Sequence, residues 1–70
     1  MKVMVGPMRS TQARNFRSFL SVHSILSERI DHSNDASVIV HVPPKMNEST
    51  VRRLWDKLGY KSAVFFTIIE

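Results

Sequence analysis

Apolar residues recur at strand spacing in three stretches of the chain and at helical spacing in two. In Lys2-Val3-Met4-Val5, the two valines share one face and Lys2 and Met4 the other, as a strand's two-residue period requires. Gly6-Pro7 ends this first strand, because proline has no amide to give to a ladder. Ser10 or Thr11 then offers a hydroxyl to cap a helix. Phe16, Phe19, Leu20, His23, Leu26 and Ile30 fall at helical spacing, so the helix is expected to run to about Arg29. Arg14, Arg17, Ser18, Ser21, Ser24 and Glu28 lie largely on its wetter side.

Asp31-His32-Ser33-Asn34-Asp35 is polar and rich in turn formers, and reads as a loop. Ser37 to Val42 alternates again, with Val38, Val40 and Val42 on one face, and reads as an edge strand with one drier side. Pro43-Pro44 stops it. Asn47, with Ser49 as the alternative, is placed to cap a second helix, whose stripe Val51, Leu54, Trp55, Leu58 has the spacing i, i+3, i+4, i+7. Gly59 is the expected residue just past its end, with Tyr60 behind it for a hydrophobic contact. The tail, Ser62 to Ile69, is β-branched and aromatic on both faces and carries no charge. Apolar character on both sides predicts a strand covered on both sides.

These elements predict an α/β fold in the order β-α-β-α-β, with short loops favouring right-handed parallel crossovers. With the most apolar strand in the middle, the three-stranded, mainly parallel sheet takes the order 1-3-2 and carries one helix on each face. The alternative order places the first strand in the middle. Seventy residues make one small domain.

Composition narrows the chemistry. The chain has no cysteine, which excludes a disulfide framework, a thiolate metal site and a cysteine nucleophile and fits a reducing compartment such as the cytoplasm. No apolar run reaches the length of a membrane span, and Met1 to Met8 lack the pattern of a signal peptide. Ten Lys and Arg against six Asp and Glu give a formal charge of +4, a balance that suits an acidic partner: nucleic acid, nucleotide or an acidic protein surface.

In the expected parallel sheet, the corners Gly6-Pro7-Met8-Arg9-Ser10 and Pro43-Pro44-Lys45-Met46-Asn47 share one edge. Each feeds a helix N-terminus, where free amides favour anions. Arg9 and Lys45 would supply cations there, and Ser10, Thr11 and Asn47 hydrogen-bonding groups. A second cationic group, Arg52, Arg53 and Lys57 with Lys61 nearby, runs along the second helix and suits phosphate contacts. Arg9, Arg14 and Arg17 form a third along the first helix. Trp55 belongs to the core stripe by its spacing. The single glycine in the first loop is neither a P-loop nor a dinucleotide fingerprint.

His23, His32 and His41 have no metal-ligand spacing, the acids are scattered rather than paired for acid–base work, and no strained nucleophile turn is present. No cofactor, metal or catalytic residue is implied.

Gly6-Pro7-Met8, then six residues, then Asn15-Phe16 and Phe19, resembles the start of nucleoside 2-deoxyribosyltransferase-like proteins. Val38, Val40 and Pro43 loosely match that family's second strand and following proline. The resemblance implies a Rossmann-like parallel sheet and a nucleoside-phosphate ligand in the Gly6–Ser10 loop. The family's catalytic Glu lies beyond the third strand, where this sequence stops at Glu70, and its glycine after the loop is replaced by Ser10-Thr11.

The first functional expectation is a small, non-enzymatic regulatory or accessory protein, of the kind phages and plasmids carry, that binds an acidic macromolecule. Arg52, Arg53 and Lys57 are its leading contacts, followed by Arg9 and Lys45. The alternatives are a nucleotide-binding, degenerate deoxyribosyltransferase-like domain, and a structural homo-oligomer that pairs through the second strand.

Overall fold

A computed structural model covers Met1–Glu70. The elements run β1 (Lys2–Met8), α1 (Ser10–Val22), β2 (Ser27–Asp31), β3 (Ala36–His41), α2 (Glu48–Lys57) and β4 (Phe65–Ile68). The sheet has four strands in the order β2-β3-β1-β4, and every neighbouring pair is antiparallel. This β-α-β-β-α-β order, in which each crossover skips one strand, is the split β-α-β or ferredoxin-like arrangement.

The expected three-stranded parallel sheet with order 1-3-2 is therefore corrected on three counts. First, a strand lies where the first helix was expected to continue. α1 ends at Val22, with Ser24 in the left-handed region at φ 60°, and Ser27–Asp31 pairs with β3. Leu26 and Ile30 extend the helical stripe of Phe16 and Leu20 by spacing alone, yet Leu26 is 76% exposed and Ile30 sits in the new strand. Serines at 18, 21 and 24 weaken helix propensity. Ile25, buried just past the turn, anchors the chain as it leaves the helix.

Second, the tail is an edge strand and β1 is interior, between β3 and β4. Third, both helices lie on one face. The β1→β2 and β3→β4 crossovers travel across the sheet in opposite senses, and their strands also point in opposite directions. Two reversals cancel, so right-handed connections put both helices on the same side. Phe16 of α1 meets Trp55 of α2 edge-to-face at 5.2 Å.

The core follows from this. Val3 and Val5 face Val40 and Val38 in register, and all four are buried with Ala13, Phe16 and Leu20 of α1 and Val51, Leu54 and Trp55 of α2. Trp55 is a core residue, as its spacing requires. The opposite sheet face has no cover: Phe65 is 75% exposed and Ile69 45%.

Local signals at the helix ends differ in outcome. Asn47 caps α2, its Oδ1 accepting from the Thr50 amide at 3.2 Å. Gly59 follows at φ 75°, the left-handed conformation that glycine adopts without penalty. Tyr60 then packs on Trp55 and its hydroxyl accepts from Asn15 Nδ2 at 2.8 Å. At α1 the cap residue is Arg9 rather than Ser10 or Thr11. Its amide donates to Gln12 Oε1 at 2.9 Å, and the two hydroxyl residues lie in the first turn.

Candidate anion-binding site

The antiparallel sheet separates the two corners that a parallel sheet would bring together. β1 runs against β3, so Lys2 faces His41 while Met8 faces Ala36. The Pro43–Asn47 corner thus lies at the end where β1 starts, and the Gly6–Ser10 corner at the end where it finishes. Ser10, Thr11 and Arg9 stay at the start of α1, Lys45 and Asn47 at the start of α2, and the five residues form no common pocket. The Rossmann-like sheet implied by the deoxyribosyltransferase resemblance is likewise not the sheet of this chain.

A different group of cations does converge. Arg14, Arg17, Ser18 and Ser21 occupy i, i+3, i+4 and i+7 of α1, one side of the helix. Arg29 stands opposite Val38 on β2, which directs it toward the helix layer. These five side chains line an open hollow of about 260 Å³ with no hydrophobic residue in its wall. Arg17 is fixed by its neighbour: Nε donates to Ser27 Oγ at 3.3 Å and Nη2 to the Ser27 carbonyl at 3.1 Å. Arg29 Nε meets Asp31 Oδ1 at 2.7 Å. Arg14 has no ion-pair partner.

Three guanidinium groups and two hydroxyls face a space with one carboxylate beside it. A guanidinium fork matches phosphate and carboxylate oxygens and keeps its charge at any physiological pH. The tie to Ser27 pre-orders Arg17, which lowers the entropy lost on binding. At about 260 Å³ the hollow is below the roughly 300–1,000 Å³ of sites that enclose small molecules. It suits a single oxyanion group better than a whole nucleotide.

Of the leading cations expected from sequence, only Arg52 is engaged by an acid of the chain. Arg52 donates to Glu48 Oε1 from Nη2 at 2.8 Å and lies 4.6 Å from the centre of the Phe66 ring. Arg53 and Lys57 are exposed on α2 and make no ion pair; Arg9 and Lys45 are exposed as well. Three of the six acids are paired with a Lys or Arg, Glu70 with Lys2, Asp31 with Arg29 and Glu48 with Arg52, and Glu28 lies against His41. The unmatched positive charge consequently sits mainly on the helix layer. Three residues of the hollow are not site candidates by sequence: Arg29, which falls at the end of the expected helix, and Ser18 and Ser21, which read only as its wetter face.

The histidines are dispersed. His23 packs on Phe19, His32 Nε2 lies 3.2 Å from Ser37 Oγ, and His41 Nε2 lies 2.6 Å from Glu28 Oε2. No helix is long and apolar enough to cross a membrane. The scan of protein-family models and the search of curated proteins each return no match for this chain. Since a ferredoxin-like fold hosts many unrelated activities, the functional reading rests on the site.

Proposed function

We propose that this chain is a small, non-enzymatic accessory protein that binds an acidic macromolecule, with nucleic-acid phosphate as the group seated in the Arg14–Arg17–Arg29 hollow. The observation that carries the reading is the convergence of three arginines and two serines on one wall without an apolar residue. One bidentate arginine satisfies the two oxygens of a carboxylate, whereas three guanidinium groups suit an oxyanion with more acceptors. Arg53 and Lys57, exposed on α2, add to the positive charge of the helix layer. The uncovered sheet face bears one aromatic residue, Phe65, too little for a base-stacking platform. Contact is therefore to the backbone, with little sequence preference.

The test is fluorescence anisotropy of labelled single-stranded and duplex oligonucleotides between about 50 and 200 mM salt, with a polyglutamate peptide in parallel. Log affinity should fall linearly with log salt. Arg17→Ala and Arg29→Ala should each weaken binding uniformly across sequences and reduce the salt slope by about 1. Salt-independent binding, or both variants binding like the parent, would refute the proposal. Tighter binding to polyglutamate than to oligonucleotide would transfer the site to an acidic protein surface.

A further inference from the structure

The two edges of the sheet are unlike. β2 carries Glu28, Arg29 and Asp31 along its five residues, the kind of charged edge that discourages strand addition. β4 has no charge, proline or bulge within Phe65–Ile68, and it pairs with β1 on one side only. The Ile69 amide donates to the Lys2 carbonyl at 2.9 Å. By the two-residue alternation of an antiparallel ladder, Phe65 and Thr67 also turn their backbone groups toward β1, and Phe66 and Ile68 turn theirs outward. β3, the strand expected from sequence to be an edge and to pair with a second copy, is interior, flanked by β1 and β2, and has no free edge.

We infer that β4 pairs antiparallel with β4 of a second copy, about a two-fold axis at Thr67, to give a continuous eight-stranded sheet. That register lets Phe66 and Ile68 of each copy exchange hydrogen bonds with Ile68 and Phe66 of the other. On the helix face it sets Phe66 beside the second copy's Ile68. On the open face it sets Phe65 beside the second copy's Ile69, with the two Thr67 side chains meeting at the axis. The exposed apolar residues of this segment, Phe65 at 75%, Ile68 at 55% and Ile69 at 45%, each gain a cross-strand apolar neighbour, a pairing that stabilises sheets.

A second copy is the occupant because the segment is self-complementary and uncharged. An acidic partner finds no cation on it, Arg52 behind Phe66 being already engaged by Glu48. The apolar surface covered is modest: Phe65 offers roughly 150 Å², and with the exposed parts of Ile68 and Ile69 the total stays well under the roughly 800 Å² per partner of a stable interface. Association should accordingly be reversible at micromolar to millimolar concentration. This inference is independent of the phosphate reading.

Sedimentation equilibrium from about 10 µM to 1 mM tests it. The parent should move from 8.1 kDa toward twice that mass. Thr67→Lys and Thr67→Glu, each placing like charges face to face at the axis, should raise the dissociation constant at least tenfold, with unchanged circular dichroism. Mixing the two variants should restore the dimer, because opposite charges then meet. A parent that stays at 8.1 kDa throughout overturns the inference, as does a dimer indifferent to Thr67→Lys or a mixture that fails to restore association.

Discussion

Gly6→Ala is the sharpest test of the sheet's central pair of strands. Gly6 lies on β1 where the register with β3 becomes irregular, between Val5 and Met8. A methyl group added there would stand 2.9 Å from Ser37 Cβ and 3.1 Å from Ser37 Cα, and closer still to Ser37 Oγ. The obstacle is the backbone of β3, held on its far side by fully buried Val38 and Val40, so it yields little. Overpacking of this kind costs about 1–3 kcal/mol, and a backbone obstacle places the expected value near the upper end. With a urea m value of about 1 kcal/mol/M for a chain this small, the unfolding midpoint should drop by roughly 2–3 M.

A second substitution shows whether the clash is with Cβ or with the hydroxyl. Ser37→Ala removes Oγ but leaves the 2.9 Å contact, so Gly6→Ala/Ser37→Ala should remain almost as unstable as Gly6→Ala alone. Ser37→Gly removes Cβ. In that background Gly6→Ala should cost at least about 1 kcal/mol less, a coupling read from a double-mutant cycle. Urea titrations followed by far-ultraviolet circular dichroism and by the fluorescence of Trp55, the single tryptophan, provide two probes. A Gly6→Ala midpoint within about 0.5 M of the parent, or a rescue by Ser37→Ala equal to that by Ser37→Gly, would refute the close approach of the two strands.

Trp55→Ala should cost about 3–5 kcal/mol by emptying a core site against Phe16. The whole domain is expected to have roughly 3.5–10 kcal/mol of stability, so circular dichroism should show a large loss of melting temperature or an unfolded chain. Gly59→Ala should cost about 1–2 kcal/mol, because alanine resists the φ of 75° found there. Gly59→Asn should cost less, and thermal melts will rank the two. Asp31→Asn removes the carboxylate that occupies Arg29. It should raise affinity for oligonucleotides by roughly two- to fivefold, the scale of an exposed ion pair, in the same anisotropy assay.

Legibility differed from element to element for physical reasons. α2 was readable end to end, because its stripe, its asparagine cap and its terminal glycine all signal locally and agree. β1 and the strand from Ala36 to His41 were readable from valine alternation, but Gly6-Pro7, the expected end of β1, lies inside it, and the strand continues to Met8. β2 was hidden because its one large apolar residue, Ile30, also sits at helical spacing from Phe16, Leu20 and Leu26. Missing that strand changed the parity of the sheet. With three strands and two helices, parallel crossovers follow; with a hairpin between the helices, every pairing becomes antiparallel and both helices share a face. The tail misled in another way. Apolar residues on both faces usually mean cover on both faces, yet β4 is an edge with one bare side. The arginine hollow was half legible. Arg14 and Arg17 were visible as neighbours on one helix, while Arg29 needed the hidden strand to arrive beside them.

The central position of β1 also has a kinetic consequence. Val3 stands opposite Val40 on one side and Ile68 on the other, so the first strand of the sequence finds both neighbours far along the chain. Only the β2–β3 hairpin closes locally, on a scale of about 1–10 µs. Every other pairing must first overcome the loss of freedom in a long loop, which places folding in the slower, topology-limited range of small mixed domains. Until β4 arrives, β1 has an open flank, and that partly assembled sheet is the species most prone to capture another chain.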